Sequence, residues 1–206
     1  MNLNSVKQKI TQNSKVKSRI HKMMFYNSRP RWWVKHLLNP IVFKHGKKAT
    51  IRRYNVMNVS PVNRFYLGAE STIEEYCVLD NGVGDIIIGE HTRIGLRNTI
   101  IGPVQIGNNV ILAQNVVLSG LNHNYEDISQ PIHLQGVNVN PIIIEDDTWI
   151  GANSIITAGI KIGKHSIIGS GSVVTKNIPS FSVAVGNPAK VIKVYDKNLH
   201  IWVKQI

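Results

Sequence analysis

His123 stands in a polar stretch, residues 119–143, that separates two highly regular runs of the chain. A neutral imidazole has a reference pKa of about 6.5, so near neutral pH it can take the proton of an alcohol and turn a poor nucleophile into a good one. Glu126, Asp127 and Glu145 are the carboxylates near enough in sequence to orient the far ring nitrogen. Near the C-terminus, Lys176, Lys190 and Lys193 offer the cations that phosphate groups require. Arg93 and Arg97 add positive charge that suits an anionic acceptor. His91 and His165 read as solvated turn residues, and His133 follows His123 in the same stretch. A metal site built from three histidines needs a close pair inside the repeat. His91, His123, His133 and His165 lack that spacing, and no metal is expected.

The elements that must hold these groups follow from a six-residue step. One ladder runs Ile88, Ile94, Ile100, Ile106, Leu112, Leu118; the other runs Ile144, Ile150, Ile156, Ile162, Ile168, Val174. Neither a helix, with apolar residues every three or four positions, nor an ordinary strand, with every second, produces this step. A chain that makes a short strand, turns and repeats does, so that three six-residue sides close one triangular coil. The rung residue points inward. Four residues after each rung the side chain is mostly small or β-branched, as at Thr92, Val110, Thr148, Ser154 and Ser166. Gly89, Gly95, Gly107, Gly151, Gly163 and Gly169 directly follow rungs, where a permissive turn residue is expected. The ladder extends upstream through Leu67, Ile73 and Leu79, slips by three residues near Gly84, and gives roughly five coils between residues 67 and 179. The stretch 119–143 must leave the stack and return to it, and a loop of that length in a regular array is usually functional.

Three segments, Ile144-Glu-Asp-Asp-Thr-Trp149-Ile-Gly-Ala-Asn-Ser154, Ile162-Gly-Lys-His-Ser-Ile-Ile-Gly-Ser-Gly-Ser-Val-Val-Thr-Lys176 and Val185-Gly-Asn-Pro-Ala-Lys190-Val-Ile192, resemble the hexapeptide-repeat acyltransferases. The branch most similar in style is the sugar O-acetyltransferases related to the maltose, galactoside and bacterial polysaccharide O-acetyltransferases. The resemblance covers about residues 65–194. It implies a left-handed parallel β-helix, against the usual right-handed crossover, and a homotrimer with active sites between subunits. It implies acetyl-CoA as donor and His123 as the general base that activates a sugar hydroxyl against the thioester. Backbone N–H groups at a coil turn would then stabilise the oxyanion. Trp149, Ala152, Ser170 and Thr175 match positions along the pantetheine arm, and Lys176, Lys190 and Lys193 match contacts to its phosphates. Lysine keeps the charge at 190 and 193 but not the planar bidentate pairing of arginine. On the acceptor side Arg97, Tyr125 and Trp149 are the candidates. An amino sugar, serine or an antibiotic is the alternative acceptor.

Charge divides the chain. Of 24 Lys and Arg, 15 fall in residues 1–69 with no Asp or Glu; the remainder has 9 against all 12 acids. The expected organisation is a basic, partly helical N-terminal extension or cap over 1–60, the repeat domain with its protruding loop over 61–194, and a tail over 195–206. Val6, Ile10, Ile20, Met23 and Met24 can share one helical face among the lysines. The Trp32-Trp33 pair beside Arg29, Arg31 and Lys35 suits either a cap on the open end of the stack or peripheral contact of residues 1–40 with a membrane. Nucleic-acid binding has charge in its favour and no recognition motif, so it is not expected. One cysteine, Cys77, no secretory leader and no run of about 18 apolar residues lead to an expected cytoplasmic location, with the inner membrane face as a site of attachment.

Overall fold

The computed structural model describes residues 19, 22–26 and 29–205. Their backbone is a β-solenoid of about six turns, with parallel strands that cycle through three walls. The first wall stacks Lys44–His45, Phe65–Leu67, Ile86–Ile88, Val104–Ile106, Ile142–Ile144 and Lys161–Ile162. The second begins with Thr50–Ile51, Thr72–Ile73, Arg93–Ile94, Ile111–Leu112, Trp149–Ile150 and Ile167–Ile168. It then continues beyond the coils into Ser182–Gly186, Ala189–Asp196 and Ile201–Lys204, which pair antiparallel. The third stacks Val56–Asn58, Val78–Asp80, Thr99–Ile101, Val117–Ser119, Ile155–Ile156 and Val173–Val174. Among the described residues the helical content is short: helical backbone at 19, 22–24 and 32–33, a π-helical turn Val34–Leu38, an α-helix Asn39–Val42 and a 3-10 turn Ile132–Leu134. No helix among the described residues is long and apolar enough to cross a membrane.

All twelve rungs of the two ladders are buried, as are Leu67, Ile73 and Leu79. Each buried Ile or Leu contributes about 1.5–3 kcal/mol relative to an exposed one, and the column is continuous because rungs of neighbouring coils are in register. The position four beyond the rung is buried too, and its small polar members have a second task. Thr92 Oγ1 donates to the carbonyl of Gly107 at 2.8 Å, Asn98 Nδ2 to Ala113 at 2.9 Å and Ser166 Oγ to Pro179 at 2.8 Å. These bonds tie coil to coil at the corners, where the strand ladder lapses. They also satisfy side chains that would be costly to bury unpaired. Cys77 occupies one such position; it is buried, its Sγ donates to the carbonyl of Gly95, and burial pushes its thiol pKa up.

The glycines after the rungs serve a different purpose from the one expected. They are not at positive φ; a Cβ on Gly89 would sit 2.5 Å from the carbonyl oxygen of Gly107, and one on Gly151 would sit 2.5 Å from Ser170 N. Close approach of stacked backbones, not turn conformation, excludes a side chain. The left-handed conformation falls two residues later, three beyond the rung. It is adopted there by His91, Arg97, Asn109, Asn115, Asp147, Asn153 and His165, with φ between 53° and 59°. Asn and Asp reach this region most easily; His and Arg accept about 1–2 kcal/mol to do so.

Coil stacking begins at Lys44, ahead of the boundary expected near residue 61, because His45, Ile51 and Met57 fill the rung positions of an additional first coil. Residues 195–204 are likewise not a free tail but the edge of the second wall. Every departure from the six-residue step lies on one edge of the prism, between the third and first walls. Residues 59–64 and 81–85 widen this edge together: Asn81 bonds Ser60 and Asn63, and Arg64 pairs with Asp85 at 2.7 Å. The helical segment 32–42 packs on the same edge. Val34, Leu38 and Trp33 join Met24, Phe25 and Val62, and Asn39 Nδ2 donates to the carbonyl of Val59 at 2.8 Å. The expected helical positions Val6, Ile10 and Ile20 lie outside the described residues.

Candidate functional site

The protruding stretch is an arm with a built stem. Leu121–His123 pairs antiparallel with Val137–Val139, with His123 opposite Val137. Beyond the stem, Asn124 donates to the carbonyl of Gln135. The Gln135 amide then accepts from Asp127 N and donates to the carbonyls of Asp127 and Gln130. This network fixes the tip, so the imidazole projects from an ordered ribbon. His123 is exposed, as are Tyr125 and His133.

No candidate carboxylate reaches the ring within the protomer. The Asp127 carboxylate accepts from the Ser129 hydroxyl and amide and from Gln130, and the Ser129 hydroxyl leads in holding its pKa below the usual range. Glu126 accepts from Tyr125 N at 3.0 Å. Glu145 pairs with Lys161 at 2.6 Å and accepts from Lys164 N at 2.8 Å; the Lys161 bond is the main cause of its lowered pKa. These three carboxylates brace the arm and the corner. Sequence spacing alone does not distinguish that work from orienting a histidine.

The remaining candidates fall into two groups on two edges. His123, Thr175 and Lys176 lie on the edge between the third and first walls, where the arm leaves the stack and where the chain turns after Val174. Arg97, Ala152 and Ser170 lie on the edge between the second and third walls; Ala152 and Ser170 are in successive corners, and the corner 113–116 separates them from Arg97. Lys190 is brought there by pairing with Val185, whose side chain packs over Gly169. Trp149, 50% exposed, projects from the adjoining second wall. It shares one register row with Ile111 below and with Ile167, Val183 and Lys193 above. At a strand spacing of about 4.8 Å, Lys193 stands roughly 14 Å above the indole. Arg93 extends this row downward, while Arg97 turns the corner beside it. One protomer therefore unites Trp149, Ala152, Ser170, Lys190 and Lys193 along a flat strip with cations at its upper end. It keeps His123 on a different edge.

Sequence reasoning missed the apolar surface of the arm. Ile128 is 100% exposed, and Ile132, Leu134 and Tyr125 are each more than half exposed, with no partner surface in the protomer among the described residues. Their irregular spacing hides this from any periodicity. The third wall, which separates the two edges, also presents an outer row of Val56, Val78, Thr99, Val117, Ile155 and Val173, apolar except at Thr99.

Comparison with known proteins places these features among relatives. The model for the hexapeptide repeat of succinyl-transferase matches residues 85–119 and 141–176, that is, both ladders on either side of the arm. Galactoside O-acetyltransferase of Escherichia coli is 37% identical over 124 residues, 58% of this chain and 60% of the relative. The 2,3,4,5-tetrahydropyridine-2,6-dicarboxylate N-acetyltransferase of Staphylococcus aureus is 38% identical over 87 residues, 42% of this chain and 31% of the relative. The chain thus spans less than two thirds of the length of these curated relatives. Among solved structures, an N-acyltransferase from Bacillus cereus, in complex with dTDP-4-amino-4,6-dideoxyglucose and coenzyme A, superposes with a TM-score of 0.67. It is 20% identical, and the match covers 80% of this chain and 90% of that one.

Proposed function

We propose, from the premise that this chain belongs to the hexapeptide-repeat acetyltransferase family, that it transfers an acetyl group from acetyl-CoA to a hydroxyl of a sugar. A unit of a bacterial capsule, lipopolysaccharide or other surface glycan is the acceptor class. Arg93 and Arg97, at the lower end of the strip, favour one that carries negative charge.

The observation that carries this reading is the separation of the two groups together with the bare apolar arm. A second copy whose arm lay against this strip would cover Ile128, Ile132 and Leu134. It would also deliver His123 to Trp149. Three copies related by one rotation close a ring in which each contact is the same, so three such sites form at once. A homotrimer with sites between subunits is therefore part of the proposal.

Residues of the strip fit the donor. Stacked backbones allow close approach along the Ala152 and Ser170 corners, and Lys190 and Lys193 supply charge for its phosphates. Lys176, beside Thr175 on the arm's edge, adds a further cation when a second copy's arm edge lies against the strip. The donor supplies an activated acetyl thioester. His123 accepts the hydroxyl proton as the acceptor oxygen bonds to the acetyl carbon. It returns that proton to the sulfur as the carbon–sulfur bond breaks, leaving a free thiol, an ester and a neutral imidazole. Trp149 bounds the reacting end of the strip, and Tyr125 and Arg97 flank the acceptor.

The matched N-acetyltransferase of Staphylococcus aureus supports a second reading, in which the acceptor is an amine, as in an amino sugar. Acetyl-CoA turnover against purified neutral glycans, acidic glycans and amino sugars separates the two. Ester formation on acidic glycans is expected. Equal turnover of acidic and neutral glycans at low salt contradicts the anionic acceptor, and amide formation alone contradicts the sugar hydroxyl.

A further inference from the structure

We infer that residues 23–26 and 29–41 form a docking face for an anionic lipid bilayer, and that it holds the solenoid at a membrane surface. The inference does not rest on the acetyl-transfer reading. Its first support is the helical segment 32–42, which is apolar on two opposite sides. Val34, Leu38 and Asn39 face the prism edge, and that side is satisfied by Met24, Phe25 and Val62. The other side presents Trp32, Leu37 and Ile41 at 69%, 56% and 82% exposure. Their spacing of five and four residues fits the widened π turn at Val34–Leu38, which brings them onto one stripe. Nothing among the described residues covers that stripe, so burial against the prism does not account for it.

The second support is the surroundings of the stripe. Arg29, Arg31, Trp32 and Trp33 line an open cleft of about 820 Å³ with Tyr26 and Pro30, and the Arg31 guanidinium lies 5.9 Å from the centre of the Tyr26 ring. Lys35 and His36 flank the stripe, and His36 lies against Trp32 with ring centres 5.2 Å apart. The first acidic residue of the whole sequence is Glu70. A soluble partner protein presents both signs of charge, whereas this face is matched to a purely negative one. Indoles beside guanidinium groups suit the headgroup layer, where a ring takes an apolar and a polar neighbour at once. Each basic residue near an anionic leaflet adds about 1 kcal/mol, and the apolar stripe adds insertion to adhesion.

The attachment proposed is peripheral, through one edge of the prism, because the segment is itself packed on that edge by Val34 and by the Asn39 bond to the carbonyl of Val59. It leaves the opposite strip of Trp149 and Lys193 facing away.

Co-sedimentation of the full chain with vesicles tests this. Wild type is expected to bind vesicles containing 30 mol% phosphatidylglycerol, and pure phosphatidylcholine at least about tenfold less. Arg29→Ser with Arg31→Ser should weaken binding by about tenfold or more at fixed salt, and Trp32→Ala with Ile41→Ser by a similar factor. These four side chains are solvent-facing or partner only within the segment, so circular dichroism should show unchanged folding. His123→Ala should bind vesicles like wild type, which separates this result from the fate of the transfer reaction. No binding by wild type, or equal binding to both vesicle types, overturns the inference. Binding that falls with the arginine pair and not with Trp32→Ala and Ile41→Ser also overturns it, because charge alone then points to a soluble polyanion such as RNA.

Discussion

The coil stack and the arm solve opposite problems. In the stack, every rung of the two ladders has a place inside its own protomer: Ile94, Ile100 and Ile150 are fully buried, and the chain dictates that burial through a fixed six-residue interval. In the arm, order comes from polar bonds among Asn124, Asp127, Gln130 and Gln135, while Ile128, Ile132 and Leu134 face outward. A scaffold that finishes itself thus carries an element that does not. The difference teaches that regular burial makes the stack self-sufficient, and that the arm's bare apolar surface is what the proposed second copy would cover.

This contrast can be broken or sharpened in order of effect. His123→Ala should lower acetyl transfer by about 10²–10⁴-fold while the chain still binds coenzyme A and keeps its melting temperature. Steady-state kinetics with a calorimetric titration check both halves. Truncating the column instead, as in Ile100→Ala or Ile150→Ala, should cost about 2–5 kcal/mol of stability and lower the thermal midpoint by several degrees or more. The paired arm change, Ile128→Ser with Ile132→Ser, should leave the protomer's thermal midpoint nearly unmoved and reduce assembly, read by sedimentation velocity. If the arm variants instead destabilise the fold as much as the column variants, the contrast is wrong.

Smaller effects follow at the strip and the corners. Lys190→Ala should raise the KM for acetyl-CoA with little change in kcat, because it removes binding common to ground and transition states. The corner carboxylates give a pH dependence. In the folded chain the Lys161 bond holds Glu145 below the usual carboxylate range, and the Asn109 amide bond does most to hold Asp147 there. The unfolded chain therefore takes up protons first as pH falls. Their contribution is complete above the ordinary carboxylate pKa of about 4 and is lost as pH drops through the lower folded values. Both groups are open to water, so the slope is shallow, and Glu145→Gln should flatten it in acid-denaturation curves.

How much of this was legible in the sequence depends on what enforces each feature. Burial at a fixed interval made the ladder from Leu67 to Val174 readable, because a polar rung would leave a hole in a continuous column. The first coil was not readable. Its rung positions hold His45 and the part-exposed Ile51, and Arg52 and Arg53 replace the small residues found in later corners. Gly89 and Gly151 were legible as constrained but not as to why, since a clash with the coil above depends on stacking the sequence does not display. The family resemblance, not the spacing, marked His123, Trp149, Lys190 and Lys193. The structure then added what neither supplied, that these residues stand on different edges of one protomer. Asp127 and Glu145 misled for a physical reason: Ser129 and Lys161 are nearer partners than a ring on the stem.

The central claim is that one copy's arm completes another copy's strip. Mixing His123→Ala chains with chains carrying Lys190→Ala and Trp149→Ala, followed by dissociation and reassembly, tests it directly by acetyl-transfer rate. At acetyl-CoA concentrations below the wild-type KM each parent is slow, one for want of the imidazole and the other because its strip binds the donor weakly. If the site lies between subunits, hybrid assemblies pair an intact imidazole with an intact strip, and activity should rise well above the sum of the two parents. A mixture that never exceeds that sum, although sedimentation shows hybrids have formed, would place both halves of the site within one protomer and contradict the account.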